Sequence, residues 1–267
     1  MSTRFVVAVS AAALLLGAAA AAERNPVLDD AAVVKALKDL DPDFGDLAVR
    51  MAGEVWGRPG LSNRERAFVA IGYDVCNQTL AGPFQFHVEM ALKNGATRRD
   101  VKEAVLHNVI YSDFPKTLQA VAVLKQVYGG FDKQKKYLTG QRVTYAGVGD
   151  KNLVSDPAVR DALLAFDPKF GDLAVRMAGE VWGRPGLSQK ERAYVSLATD
   201  VCNKNLAGPL QFHLDMAAKA GASRDEIMEA LLTGVIYGAF PKVLEAVDAA
   251  KKHWAAQALR QAQDDRK

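Results

Sequence analysis

The stretch DPDFGDLAVRMAGEVWGRPGLS at residues 41–62 returns as DPKFGDLAVRMAGEVWGRPGLS at residues 167–188, with Asp43 replaced by Lys169 as the single change. The match continues without a gap, at an offset of 126, as far as Lys116 and Lys242, and 51 of the 76 aligned residues are identical. Self-similarity of this kind marks a duplicated structural unit. A weaker echo pairs VLDDAAVVKALKDL from Val27 with LVSDPAVRDALLAF from Leu153. Each unit is then about 115 residues, the usual size of one domain. The intervening segment 129–155 is rich in Gly, Lys and polar residues, as an exposed connector should be. Two copies are too few for a solenoid, and the expected arrangement is a pseudo-two-fold pair that imitates a homodimer within one chain.

Within a unit the signals are helical. Ser62-Asn63-Arg64-Glu65 reads as a capping box, and Phe68, Ile71, Val75 and Cys76 follow at helical spacing. Gly82-Pro83 opens a second helix and Asn94-Gly95 closes it. Thr97 to Asp100 starts a third, carrying Val101, Val105, Val109 and Ile110; Phe114-Pro115 interrupts it, and residues 117–128 resume as another. No stretch alternates with period two for long, so the expected fold class is all-α.

Residues 1–22, MSTRFVVAVSAAALLLGAAAAA, have the pattern of a secretory signal peptide: Arg4, an apolar run from Phe5 to Leu16, and small residues at Ala20-Ala21-Ala22. The strongly apolar part is short against the ~20 residues needed to span a bilayer. The domain expectation is therefore a leader over 1–22, a first repeat over 23–140 and a second over 141–267, in a periplasmic or secreted protein with no membrane attachment after cleavage. The charge excess is small, 34 basic against 31 acidic residues, and scattered, which argues against nucleic acid as a partner. There is no Walker loop, no Gly-x-Gly-x-x-Gly, no His-Glu-x-x-His and no Cys-x-x-Cys, and four histidines at these spacings suggest no metal site.

EVWGRPGLSNRERAFVAI, followed by FQFHVEMALKNGATRRDVKEAVLHNVIYSDFPKTLQAVAVLKQVY, resembles the carboxymuconolactone decarboxylase family, related to alkylhydroperoxidase D. The likeness covers nearly all of both repeats. It implies two tandem helical domains of that type packed as an internal pseudo-dimer, and a homotrimer that mimics the family's hexamer. One arm of the family carries Cys-x-x-Cys followed by His and acts as a peroxidase. The other decarboxylates a lactone with no cofactor. Neither Cys76-Asn77-Gln78-Thr79 nor Cys202-Asn203-Lys204-Asn205 has a second cysteine, and the interval from Glu65 to His87 is closer to the decarboxylase arm.

The candidate residues follow in pairs. His87 and His213 suit a general acid that protonates a carbanion as carbon dioxide leaves, or a histidine merely hydrogen-bonded at a helix start. Glu65 and Glu191 are candidate proton partners, although the capping box already explains them. In one continuous helix Glu65 and Cys76 stand roughly 16 Å apart at ~1.5 Å per residue. Cys76 and Cys202 divide between inert buried thiols, a disulfide across the pseudo-two-fold, and a redox-active pair; Asp74 and Asp200 nearby oppose a thiolate. Arg58 and Arg184 could clamp a substrate carboxylate or cover Trp56 and Trp182, which complete the substrate-binding candidates. His107 aligns with Thr233 and Tyr73 with Thr199, which places both low as shared catalytic groups, and His253 reads as tail surface. Three functions remain open: a cofactor-free enzyme acting on a small lactone or carboxylated metabolite, a thiol peroxidase or disulfide reductase using Cys76 and Cys202, and a non-catalytic oligomeric binding module.

Overall fold

The computed structural model describes residues 25–130 and 156–266, so the leader and nearly all of the connector lie outside the described residues. The first half comprises α1 (Ala31–Leu40), α2 (Pro42–Trp56), α3 (Asn63–Asn77), α4 (Gly82–Lys93), α5 (Arg98–His107) and α6 (Phe114–Val127). The second repeats the order as α7 (Pro157–Phe166), α8 (Pro168–Trp182), α9 (Gln189–Asn203), α10 (Pro209–Lys219), α11 (Arg224–Thr233) and α12 (Phe240–Asp264). No strand occurs among the described residues, and none of their helices is long and apolar enough to cross a membrane.

Local chemistry sets the boundaries. Both expected capping boxes form, Ser62 with Glu65 and Ser188 with Glu191, and Thr97–Asp100 and Ser223–Glu226 make two more. Asp41 and Asp167 cap α2 and α8, each followed by a proline whose missing N–H costs nothing in the first turn. Pro115 plays the same part in α6, which starts at Phe114 rather than Thr117 because the Asp113 carboxylate caps the Lys116 amide. Asn94 closes α4, and Gly95 follows at φ +86°, a left-handed turn that glycine tolerates.

At the centre α3 lies against α9. Nearly every residue of both helices is buried, so neither shows a polar face. Gly72 permits the contact, since a Cβ there would meet Ala198 at 3.0 Å and the Val195 carbonyl at 3.2 Å. Each half lends residues to the other's core: Leu187 and Val195 join the first, while Leu61, Val69, Tyr73 and Cys76 join the second. The cross-contacts come in reciprocal pairs at the 126-residue offset, as a pseudo-two-fold requires. Arg58 pairs with Glu229 and Arg184 with Glu103, while Asn77 Nδ2 donates to the Tyr237 carbonyl and Asn203 Nδ2 to that of Tyr111. Cys76 and Cys202, near the C-terminal ends of α3 and α9, are joined as a disulfide with their Cα atoms 6.5 Å apart. On the outer hairpins, α2 exposes Phe44, Leu47 and Met51, and α8 exposes their counterparts Phe170, Leu173 and Met177.

Candidate active site

His87 sits in the second turn of α4, where α3 presents Asp74 to it. The Nδ1 to Oδ2 distance is 2.6 Å, and both side chains are buried. Thr79 Oγ1 donates to the other carboxylate oxygen at 2.8 Å, which fixes the rotamer of Asp74. Aromatic rings enclose the imidazole. Trp56 stacks at 6.2 Å, Phe86 meets it edge-on at 5.4 Å, and Tyr237 from the other half meets it edge-on at 4.7 Å. Trp56 Nε1 donates to the Tyr237 hydroxyl at 2.8 Å, tying the two halves together beside the ring. The second site has the same parts except Thr79, whose counterpart is Asn205. His213 Nδ1 lies 2.6 Å from Asp200 Oδ2, with Trp182, Phe212 and Tyr111 around it, and Trp182 Nε1 donates to Tyr111 at 2.6 Å. Each site therefore takes its imidazole, carboxylate and indole from one half and its phenol from the other.

A carboxylate at Nδ1 orients the ring and stabilises the imidazolium form, so that Nε2 is the nitrogen left for proton transfer. Among the described residues Nε2 of neither ring makes a hydrogen bond. Burial raises the Asp200 carboxyl above its ordinary range, opposed by the adjacent His213. Burial likewise keeps the Tyr111 and Tyr237 phenols protonated well above the usual tyrosine range. Among the described residues no His, Cys, Asp and Glu cluster could hold a metal ion.

The two sites differ around this shared core. Beside the His213 site stands a second imidazole, His107, whose Nε2 lies 3.0 Å from Ser196 Oγ and whose ring lies 5.0 Å from that of Trp182. Complete burial and the neighbouring Arg192 hold His107 neutral, well below the usual histidine range. Arg192, itself buried, is pushed down to about 10. At the corresponding place near His87, Thr233 accepts from Arg66 Nη1 at 2.9 Å. Tyr73 fills the space there instead: a Cβ on Gly234 would fall 2.1 Å from its hydroxyl, and one on Gly238 2.4 Å from its ring. The equivalents of those glycines, Asn108 and Ser112, are compatible with the small Thr199 that stands in place of Tyr73. Tyr73 and His107 thus line the sites, despite differing between the halves.

Other expected site residues have different partners. Glu65 and Glu191 are not beside the imidazoles. They complete the capping boxes and pair across the halves, Glu65 with Lys190 Nζ at 3.2 Å and Glu191 with Arg64 Nε at 2.7 Å. Arg58 and Arg184 are not open anion clamps. Each uses its guanidinium fork on an internal carboxylate, with contacts of 2.9 and 2.7 Å to Glu229 and of 2.7 and 2.9 Å to Glu103. Trp56 and Trp182 do line the imidazoles. His253 is no tail surface residue; its Nε2 lies 2.7 Å from Asp215 Oδ1. The sequence reading gave no role in the His site to Asp74, Asp200, Tyr111 or Tyr237. The two aspartates carried a usable signal, since an Asp–His interval of 13 recurs in both repeats. The tyrosines carried none, because they arrive from the opposite half.

The fold and the twin sites define a duplicated all-α protein built on buried His–Asp pairs. The chain belongs to the carboxymuconolactone decarboxylase family, whose family model matches residues 42–126 and again 168–252. It is similar to 4-carboxymuconolactone decarboxylase of Acinetobacter baylyi, 30% identical over 109 residues, which are 39% of this chain and 81% of that protein. It is also similar to nitrosuccinic acid decarboxylase of Metarhizium robertsii, 29% identical over 118 residues, which are 43% of this chain and 82% of that one. A Burkholderia xenovorans chain, provisionally described as a gamma-carboxymuconolactone decarboxylase subunit, aligns with TM-score 0.49 and 24% identity, covering 89% of this chain and 94% of its own.

Proposed function

We propose that the protein is a cofactor-free decarboxylase acting on a small lactone or carboxylated metabolite. The observation that carries this reading is the buried His–Asp pair, built twice and enclosed each time by an indole and a cross-donated phenol. Breaking the bond to the leaving carboxylate leaves its electron pair on carbon, delocalised into an adjacent carbonyl or nitro group. Carbon dioxide departs, and the carbon takes a proton from Nε2 of the imidazolium. Asp74 or Asp200 holds the positive charge, and water later returns the proton. The aromatic walls exclude water from the developing carbanion. Two relatives named as decarboxylases, one of them acting on nitrosuccinic acid, support the substrate class.

The test is carbon dioxide release from 4-carboxymuconolactone and from nitrosuccinate, with wild type and His87→Ala/His213→Ala. Removal of both proton donors should cost about 10²- to 10⁴-fold in turnover while the helical circular dichroism is unchanged. An inactive wild type refutes the substrate class, and full activity in the double variant refutes the imidazole role.

A second reading, a thiol peroxidase or disulfide reductase, has one observation in its favour: Cys76 and Cys202 supply each other with the partner that each motif lacks. Peroxide consumption with a dithiol donor, lost in Cys76→Ser/Cys202→Ser, would establish it in place of decarboxylation. We further propose export to the periplasm or beyond, since the leader pattern and a disulfide agree with an oxidising compartment. Assembly as a homotrimer is proposed from the matched apolar stripes of α2 and α8, which give each chain two equivalent sticky faces. Light scattering should return about three chains per particle.

A further inference from the structure

A cleft of about 620 Å³ opens on the second half between α7, α10 and α12, away from the face of α10 that presents His213. Its walls are mostly apolar, with Val159 and Leu163 on one side, Phe212 and Met216 on another, and the Trp254 ring on the third. Size and lining both suit a small organic ligand.

Three differences between the halves shape it. Leu92 of the first half packs against its core, whereas its counterpart Ala218 leaves the cleft wall bare. Val127 also packs inward, whereas its counterpart His253 turns its Nε2 to Asp215 at 2.7 Å. Tyr128 is buried, whereas its counterpart Trp254 is half-buried on the cleft. Gln257, one turn further along α12, donates to the same Asp215 oxygen at 2.6 Å. Asp215 is thereby engaged by two neighbours on α12, and Lys219 is paired with Asp156 at 2.7 Å. Arg224 stands apart. Its guanidinium lies 5.5 Å from the Trp254 ring, and among the described residues no carboxylate pairs with it.

We propose that this cleft is a binding site for a small aromatic monocarboxylate, its ring against Trp254, Phe212 and the α7 side chains and its carboxylate on Arg224. A flat apolar body matches the three walls, and Arg224, a lining cation that no carboxylate pairs with among the described residues, suits an anion. The proposal does not depend on the chemistry assigned to the His–Asp sites.

Isothermal titration of the purified protein with 2-naphthoate and with neutral 2-naphthamide tests it. Wild type should bind 2-naphthoate saturably at one site per chain. Ala218→Leu restores the residue that the first half carries and should abolish that binding. Arg224→Gln should weaken 2-naphthoate about tenfold, the loss of one charge-assisted contact, and leave 2-naphthamide unchanged. Absence of saturable binding by wild type overturns the site, as does binding indifferent to Ala218→Leu. If Ala218→Leu instead alters the sedimentation of the unliganded protein, the cleft is an assembly face and the proposal fails. An Arg224→Gln variant that binds both probes like wild type overturns the assignment of the anion.

Discussion

Replacing Cys76 and Cys202 together by serine should lower stability by several kcal/mol with little change in the native structure. The bond closes a loop of 126 residues. The chain-entropy relation, about −2.1 − 1.5R ln n cal/mol/K, gives close to 16.5 cal/mol/K for that span, or about 5 kcal/mol at 25 °C. Residual structure in the denatured chain trims this figure, so we expect about 3–5 kcal/mol. The native site should tolerate the change. Cys76 Sγ lies 3.3 Å from Asn203 Oδ1 and Cys202 Sγ lies 3.2 Å from Asn77 Oδ1, so the two new hydroxyls find acceptors in place. At about 2–4 °C per kcal/mol for a chain of this size, the melting midpoint should fall by about 6–20 °C. Scanning calorimetry with and without a reductant reads the effect: the reduced wild type should melt with the serine variant. Thiol titration of the unreduced denatured protein should find no free sulfhydryl. Two titrating thiols there, or variant and oxidised wild type melting within about 1 °C of each other, would refute the reasoning.

Three further outcomes follow from the packing. His107 is held neutral in the folded chain, so below its ordinary value of 6.5 the unfolded chain takes up a proton that the native one refuses. Stability should be full above that pH and fall by about 1 kcal/mol over the first unit below it, as urea titrations would show, and His107→Thr should flatten the dependence. Gly234→Ala drives a methyl into the Tyr73 hydroxyl and should cost about 1–3 kcal/mol, whereas combining it with Tyr73→Thr should relieve the clash. Strictly additive costs in that cycle would show that Tyr73 does not fill the space. Arg184→Met removes the two close contacts of Glu103, whose side chain is 3% exposed, and leaves it, among the described residues, only Arg192 at 4.0 Å; the loss should cost about 3 kcal/mol in chemical denaturation. Lys252→Met, which breaks an exposed pair with Asp248, should cost under about 1 kcal/mol; equal losses would contradict the burial argument.

What the sequence made legible was whatever rests on neighbours along the chain. The duplication, the capping boxes at Ser62 and Ser188, and the ends of α4 all follow from short-range chemistry, and each appears where expected. The disulfide stood among the alternatives for Cys76 and Cys202, but only the meeting of α3 and α9 selects it. Illegible were the partners brought from the far half. Arg58 and Arg184 had the right chemistry for a carboxylate, and the carboxylates they hold are Glu229 and Glu103. Glu65 was a candidate partner for His87 from the family resemblance, whereas Asp74, about two and a half turns further along the same helix, makes that contact. Differences between aligned positions carry structural information of another kind. His107 and Tyr73 were set aside as unmatched, yet each belongs to a group of side chains that changed together.

The exchange of tyrosines has a genetic corollary. His87 and Tyr237 are 150 positions apart but meet at one His–Asp site, while His87 and Tyr111, in the same half, belong to two. Lesions should therefore sort into phenotypic classes by site rather than by gene segment. A polypeptide cut at the connector would yield fragments that each own an incomplete centre, and only their reassociation could restore either one.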